Sequence, residues 1–172
     1  MKFEIQKEDV QALEIIKSRV EDNSSQIDAI VSQIIQPYCK DLDYYVKFIH
    51  DCLKDGTNPP TTAELEDFCM NLATYIYFAG GICENLGIRD DIAKAVYKEV
   101  YNSSRNTVSG TVQDKNAQAE LHSAEEQIIS AAYTRAYKQM KSKVENAQEL
   151  LQSCKKVLSH RIQEEELTRF NG

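Results

Sequence analysis

The chain has 172 residues and a formal net charge of −7, and only 9 of its residues are glycine or proline. This length fits one domain, and so few turn-forming residues exclude a sandwich or barrel of many short strands. No apolar stretch reaches the roughly 18 residues that a membrane helix needs, and the charged N-terminus lacks the apolar core of a signal peptide. We therefore expect an all-α cytoplasmic protein with free, mostly buried thiols. The five cysteines are Cys39, Cys52, Cys69, Cys83 and Cys154.

A heptad pattern near the N-terminus predicts a long helix that packs against another helix. The spacings alternate between three and four residues, and the one polar member, Asn23, is of the kind that fixes register. The seam consists of Leu13, Ile16, Val20, Asn23, Ile27, Ile30 and Ile34. Pro37 is expected to end or kink this helix, because proline has no amide hydrogen to donate. A second helix is then predicted as far as Gly56, with Tyr38, Leu42 and Tyr45 on one face.

The middle of the chain predicts two shorter helices. Thr61 and Glu64 have the spacing of a capping box, which would start a third helix that Gly80 and Gly81 should stop. After a turn at residues 85–87, a fourth helix is expected from about Asp90 to Asn106. Residues 102–111 are small and polar, and they predict a linker.

The C-terminal part predicts a second long helix. Residues 112–167 contain neither proline nor glycine, and eight consecutive seam positions are apolar. One row is Tyr133, Met140, Ala147 and Cys154, and the other is Tyr137, Val144, Leu151 and Leu158. Such a stripe requires a partner helix, because a buried large apolar side chain contributes about 1.5–3 kcal/mol. The chain's own first seam or a second subunit could supply that partner. The expected fold is thus a helical bundle or coiled-coil hairpin, with shorter helices capping it.

No catalytic motif is found. The chain lacks a P-loop, the Glu-x-x-His spacing of di-iron bundles, HExxH and GxSxG, so we expect no enzyme activity and no cofactor. A Mg²⁺-dependent helical hydrolase remains an alternative. Its candidate carboxylates are Glu64, Glu66, Asp67, Asp90 and Asp91, whose nonspecific spacing is more typical of solvated helix faces.

Positive charge is concentrated in the C-terminal half. Residues 1–80 hold 7 basic and 14 acidic residues, whereas residues 135–161 hold seven Lys or Arg and two Glu. Lysines and tyrosines alternate on one side of the fourth helix, an arrangement that can bind phosphates and stack on bases. The candidate DNA-binding residues are Lys94, Tyr97, Lys98, Tyr101, Arg105, Arg135, Lys138 and Lys141. An ordinary amphipathic helix with lysines reaching into solvent gives the same pattern.

From about Lys94 to the end, the chain resembles the UvsY-type recombination mediators of tailed bacteriophages. The resemblance rests on the segment Lys94-Ala-Val-Tyr-Lys-Glu-Val-Tyr101, the small-residue linker with Gly110-Thr-Val-Gln-Asp-Lys115, and two helical segments after it. Those segments are Ala131-Ala-Tyr133 and Leu150-Leu-Gln-Ser-Cys-Lys-Lys-Val-Leu-Ser-His-Arg-Ile162. The first 85 residues have no counterpart in that family.

The resemblance implies a non-enzymatic homo-oligomer in the host cytoplasm that binds single-stranded DNA. It also implies partners, namely a recombinase and a single-strand-binding protein, and it assigns DNA contacts to Lys94, Lys98 and Arg105. Residues 1–85 would be an acidic, tyrosine-rich region for oligomerisation or docking, and residues 86–172 the basic region. We assign oligomerisation to Leu13, Ile16, Val20, Asn23, Ile27, Tyr137, Val144, Leu151 and Leu158. The alternative is a structural or adaptor protein that binds a protein partner without nucleic acid.

Overall fold

The computed structural model describes residues 7–171, and it describes side chains for residues 17, 18, 20–22 and 24–170. Four helices occupy this range: α1 (Lys7–Lys54), α2 (Thr62–Thr107), α3 (Val112–His122) and α4 (Ala124–Asn171). Residues 7–171 contain no strand, so the all-α prediction is confirmed. None of the described helices combines the length and apolarity needed to cross a membrane.

The three long helices form one bundle in which α2 runs antiparallel to α1 and α4. Thr62, at the start of α2, donates a hydrogen bond to Glu165 near the end of α4. Asp43 and Lys143 form an ion pair at 2.6 Å between α1 and α4, and Cys39 contacts Met140 one turn earlier on each helix. Because these two pairs advance together along both helices, α1 and α4 are parallel.

The predicted capping box is present at the start of α2. The Glu64 carboxylate accepts a hydrogen bond from the Thr61 amide at 2.7 Å, and the Thr61 hydroxyl accepts one from the Glu64 amide. Thr111 and Asp114 make the same arrangement at the start of α3. The linker between α2 and α3 is shorter than predicted, since α2 continues to Thr107.

Three predicted helix ends are wrong. Pro37 lies inside α1 on an exposed position, where α1 continues because Ile35 and Cys39 are held in the core on either side. Gly80 and Gly81 lie inside α2, and so does the turn expected at residues 85–87. The packing of Ala79 and Leu86 against the neighbouring helices outweighs the low helix propensity of glycine, about 1 kcal/mol per residue. The predicted boundary at residue 85 therefore falls within one continuous helix.

The predicted seam of α4 is the centre of the core. Met140, Val144, Ala147, Leu151 and Cys154 are buried, and Tyr137 and Leu158 are half-buried beside them. Their partners are α2 and α1 of the same chain: the Tyr137 ring lies close to Gly87 of α2, and Met140 contacts Cys39 of α1. The assignment of Val144 and Leu151 to an oligomer seam is corrected accordingly, since these side chains belong to the core of a single chain.

The seam of α1 has a different phase from the predicted one. Val31 and Ile35 are in the core, Ile27 and Ile34 are half-buried, and Ile30 is exposed. Val20 is 60% exposed. Leu13, Ile16 and Asn23 lie in α1, but their side chains are outside the described residues. Among the described side chains of α1, packing against the core starts at residue 27 and continues to the end of the helix.

Candidate nucleic-acid interface

A buried carboxylate lies within the predicted basic surface, where α2 packs against α4. Asp90 is only 4% exposed. It accepts one hydrogen bond from Lys94 Nζ at 2.7 Å and another from the Thr134 hydroxyl of α4. Burial alone raises the pKa of Asp90, but these two hydrogen bonds and the charges of Lys94 and Lys138 outweigh it and place the pKa below its usual value.

Four of the predicted lysines lie on either side of Asp90 along α2 and α4. Lys94 and Lys138 flank Asp90 from the two helices, and Lys98 lies one turn beyond Lys94. Lys141 lies one turn beyond Lys138, with its charge near the Cys83 thiol of α2. Together these lysines span about 20 Å along the helix axes. We call Lys94, Lys98, Lys138 and Lys141 the lysine row.

Two tyrosines accompany the lysine row. Tyr97 and Tyr101 are half-buried, and their ring centroids lie 6.2 Å apart at an angle of 46°. Each residue is partly exposed on the surface of α2, so part of each ring is accessible to a nucleic-acid base. The structure thus brings both predicted tyrosines close to Lys94 and Lys98.

The other predicted DNA-binding residues lie elsewhere. Arg135 lines a shallow depression on the side of α1, together with Val20, Ser24 and Asp28. Arg105 is exposed in the last turn of α2, two turns beyond Lys98. The predicted set therefore divides into the lysine row with its tyrosines and two separate arginines.

Two of the four lysines are partly neutralised. Lys94 is held by Asp90, and Lys141 lies 4.0 Å from the Glu145 carboxylate. Among the described residues, no carboxylate lies within 4.0 Å of Lys98 or Lys138. These two lysines are the row's best candidates for phosphate contacts.

The carboxylates proposed for Mg²⁺ are not gathered into one site. Glu64 caps α2, and both oxygens of Asp90 accept hydrogen bonds from protein donors. Within the described part of the chain, no group of three His, Cys, Asp or Glu side chains could hold a metal ion. The hydrolase alternative thus gains no support from the geometry.

Sequence reasoning missed the role of Asp90 and its partner Thr134. The spacing of Asp90 and Lys94, four residues apart on a helix, was a usable signal for the ion pair. Thr134 is 44 residues away, and no local pattern indicates that it meets Asp90. Comparison with protein-family models, curated proteins and solved structures gave no match to this chain. The likeness to recombination mediators therefore remains a prediction from the sequence.

Proposed function

We propose that this chain is a non-enzymatic protein that binds single-stranded DNA as a homo-oligomer and acts as a recombination mediator. The observation that carries the proposal is the lysine row, in which Lys98 and Lys138 have no carboxylate partner among the described residues, beside the partly exposed rings of Tyr97 and Tyr101. Lysines supply the phosphate contacts on which non-specific affinity depends, and aromatic rings stack on bases of any sequence.

Tight DNA binding by this surface depends on several subunits, because one subunit has few unpaired positive charges. Asp90 and Glu145 offset part of the row, and the whole chain carries −7. One subunit thus offers few phosphate contacts, and it should bind weakly alone. Copies aligned along one strand multiply these contacts, since each further subunit engages DNA that is already close. Loading of a recombinase onto strands covered by single-strand-binding protein is the role that the resemblance adds.

The test is a charge-removal pair with a matched control. Lys98→Ala/Lys138→Ala should lower affinity for a labelled single-stranded oligonucleotide by about tenfold or more, without changing the mass in solution. Lys40→Ala/Lys47→Ala removes the same charge from exposed positions on α1 and should leave affinity within about twofold. Equal losses of DNA affinity in the two double variants would show only a general charge effect and would contradict the proposed site.

A structural or adaptor protein is the second candidate, and an apolar groove favours it. Near residue 92, α2 and α4 line a groove of about 300 Å³ with Ile92, Val96, Ile129 and Tyr133. Ile92 is 57% exposed there. Apolar surface of this kind often marks a protein contact. If the chain forms an oligomer that ignores DNA at low salt and Ile92→Ser dissociates it, this second candidate replaces the first.

A further inference from the structure

Aromatic side chains line the groove between α1 and α2. The rings of Tyr45 and Tyr75 lie 5.1 Å apart across this groove, and Phe48 meets Phe68 edge-on at 5.8 Å. Tyr38 borders Ile82, Leu86 and Arg89 at its upper end. Phe78 lies one turn after Tyr75 on α2, on the same face. We call these six residues, Tyr38, Tyr45, Phe48, Phe68, Tyr75 and Phe78, the aromatic groove.

The aromatic groove has a buried floor and an open rim. Phe68 is buried and Tyr45 is half-buried, whereas Tyr38, Phe48 and Tyr75 are exposed and Phe78 is 65% exposed. From Tyr38 to Phe48 the groove runs for about 15 Å along α1, which is three helical turns. A groove of this length between two helices fits the apolar face of one further helix, with anchors at i, i+3, i+4 and i+7.

Negative charge flanks the aromatic groove along α1 and α2, whereas Arg89 lies at its upper end. Asp41 lies three residues after Tyr38 and four before Tyr45, so it shares their side of α1. On α2, Asp67 lies close to Tyr45: burial is the main cause that raises the pKa of the Tyr45 hydroxyl, and the negative charge of the Asp67 carboxylate also raises it. Neither Asp41 nor Asp67 forms an ion pair among the described residues. The sequence has no Lys or Arg between Lys54 and Arg89.

We propose that the aromatic groove docks a basic amphipathic helix of a protein partner. The partner's apolar side chains would cover the exposed rings, and its Lys or Arg side chains would pair with Asp41 and Asp67. Aromatic faces add to this preference, because their negative quadrupole attracts cations.

A second copy of this chain fits the aromatic groove poorly. Two grooves placed face to face would bring Asp41 and Asp67 against the same carboxylates. The chain's own basic helix, α4, has its apolar seam buried in its own bundle. The exposed C-terminal turns of α4 are apolar in part, but they carry Glu164, Glu165 and Glu166.

The experiment compares two synthetic helical peptides of about five turns with the full-length protein. Both have the same leucine stripe, and their polar positions are lysine in one and glutamate in the other. We expect the Leu/Lys peptide to bind at least about tenfold tighter than the Leu/Glu peptide. The double variant Tyr38→Ser/Phe78→Ser, which changes two exposed positions, should lower the affinity for the Leu/Lys peptide about tenfold. Asp41→Asn/Asp67→Asn should lower the affinity for the Leu/Lys peptide but not for the Leu/Glu peptide. It should also make binding of the Leu/Lys peptide less sensitive to salt.

Leu121→Ser is the control, since it removes an exposed apolar side chain on α3, and it should leave peptide binding unchanged. Circular dichroism confirms that each variant keeps its helices. Failure of the wild-type protein to bind the Leu/Lys peptide would overturn the proposal, as would equal binding of the two peptides. A wild-type dimer that Tyr38→Ser/Phe78→Ser dissociates would identify a second copy as the occupant and would overturn it as well.

Discussion

The Thr134 hydroxyl of α4 donates a hydrogen bond to the buried carboxylate of Asp90 in α2. The second carboxylate oxygen of Asp90 is held by Lys94, whose side chain is about half exposed. One negative charge thus joins two helices and fixes one lysine of the lysine row. A buried carboxylate is tolerated there because both of its oxygens have donors and a cation is adjacent.

Asp90→Asn should destabilise the fold by about 1–3 kcal/mol, the cost of weakening hydrogen bonds to a buried charged group. Urea unfolding followed by circular dichroism measures this change. Asp91→Asn is the matched control, because Asp91 is the exposed neighbour and is expected to change stability by less than about 0.5 kcal/mol. Equal stability of the two variants would show that the Asp90 contacts contribute nothing.

Lowering the pH should destabilise the wild-type protein more than it destabilises the Asp90→Asn variant. Burial raises the pKa of Asp90, but the hydrogen bonds from Lys94 and Thr134 bring it below 3.8 overall. A carboxylate whose pKa is lower in the folded state contributes stability above its unfolded value, near pH 4, and that stability is lost as the pH falls through the folded value. The difference in unfolding free energy between the two proteins should therefore narrow below about pH 4. A constant difference down to pH 2 would contradict this.

Replacing glycines inside α2 should stabilise the protein. An added Cβ at Gly80 or Gly81 would meet no atom within 4 Å, so each change to alanine should gain about 0.5–1 kcal/mol through lower backbone entropy of the unfolded chain. Gly87→Ala is the control, since its Cβ would lie 3.3 Å from the Tyr137 ring and the gain should be offset. Thermal melting measures all three. Destabilisation by Gly80→Ala would show that α2 is interrupted there.

The seam of α4 could be predicted because its apolar residues leave only one phase. Met140, Val144, Ala147 and Leu151 follow one heptad pattern, and their neighbours in the sequence are polar or charged except for Leu150. The phase of α1 could not be predicted, because apolar residues occur in adjacent pairs. Ile30 precedes Val31 and Ile34 precedes Ile35, so both phases are apolar and only packing selects the second.

The helix ends were predicted wrongly for a related reason. Local propensity gives a cost at Pro37 and at Gly80, but it carries no information about the long-range packing that offsets this cost. The basic surface could be predicted in part, since the i, i+4 spacing places Lys94 and Lys98 together. That Lys138 joins them depends on the alignment of α2 with α4, which the contact of Asp90 with Thr134 fixes.

The most direct test of the central claim is fluorescence anisotropy of a labelled single-stranded oligonucleotide, with protein whose mass is known from light scattering. We predict that an oligomer binds at low salt and that its affinity falls steeply toward physiological salt, because binding releases counterions from the phosphates. Lys98→Ala/Lys138→Ala should reduce both the affinity and the slope of its logarithm against the logarithm of salt concentration. An oligomer or monomer that fails to bind the oligonucleotide even at low salt would contradict the account.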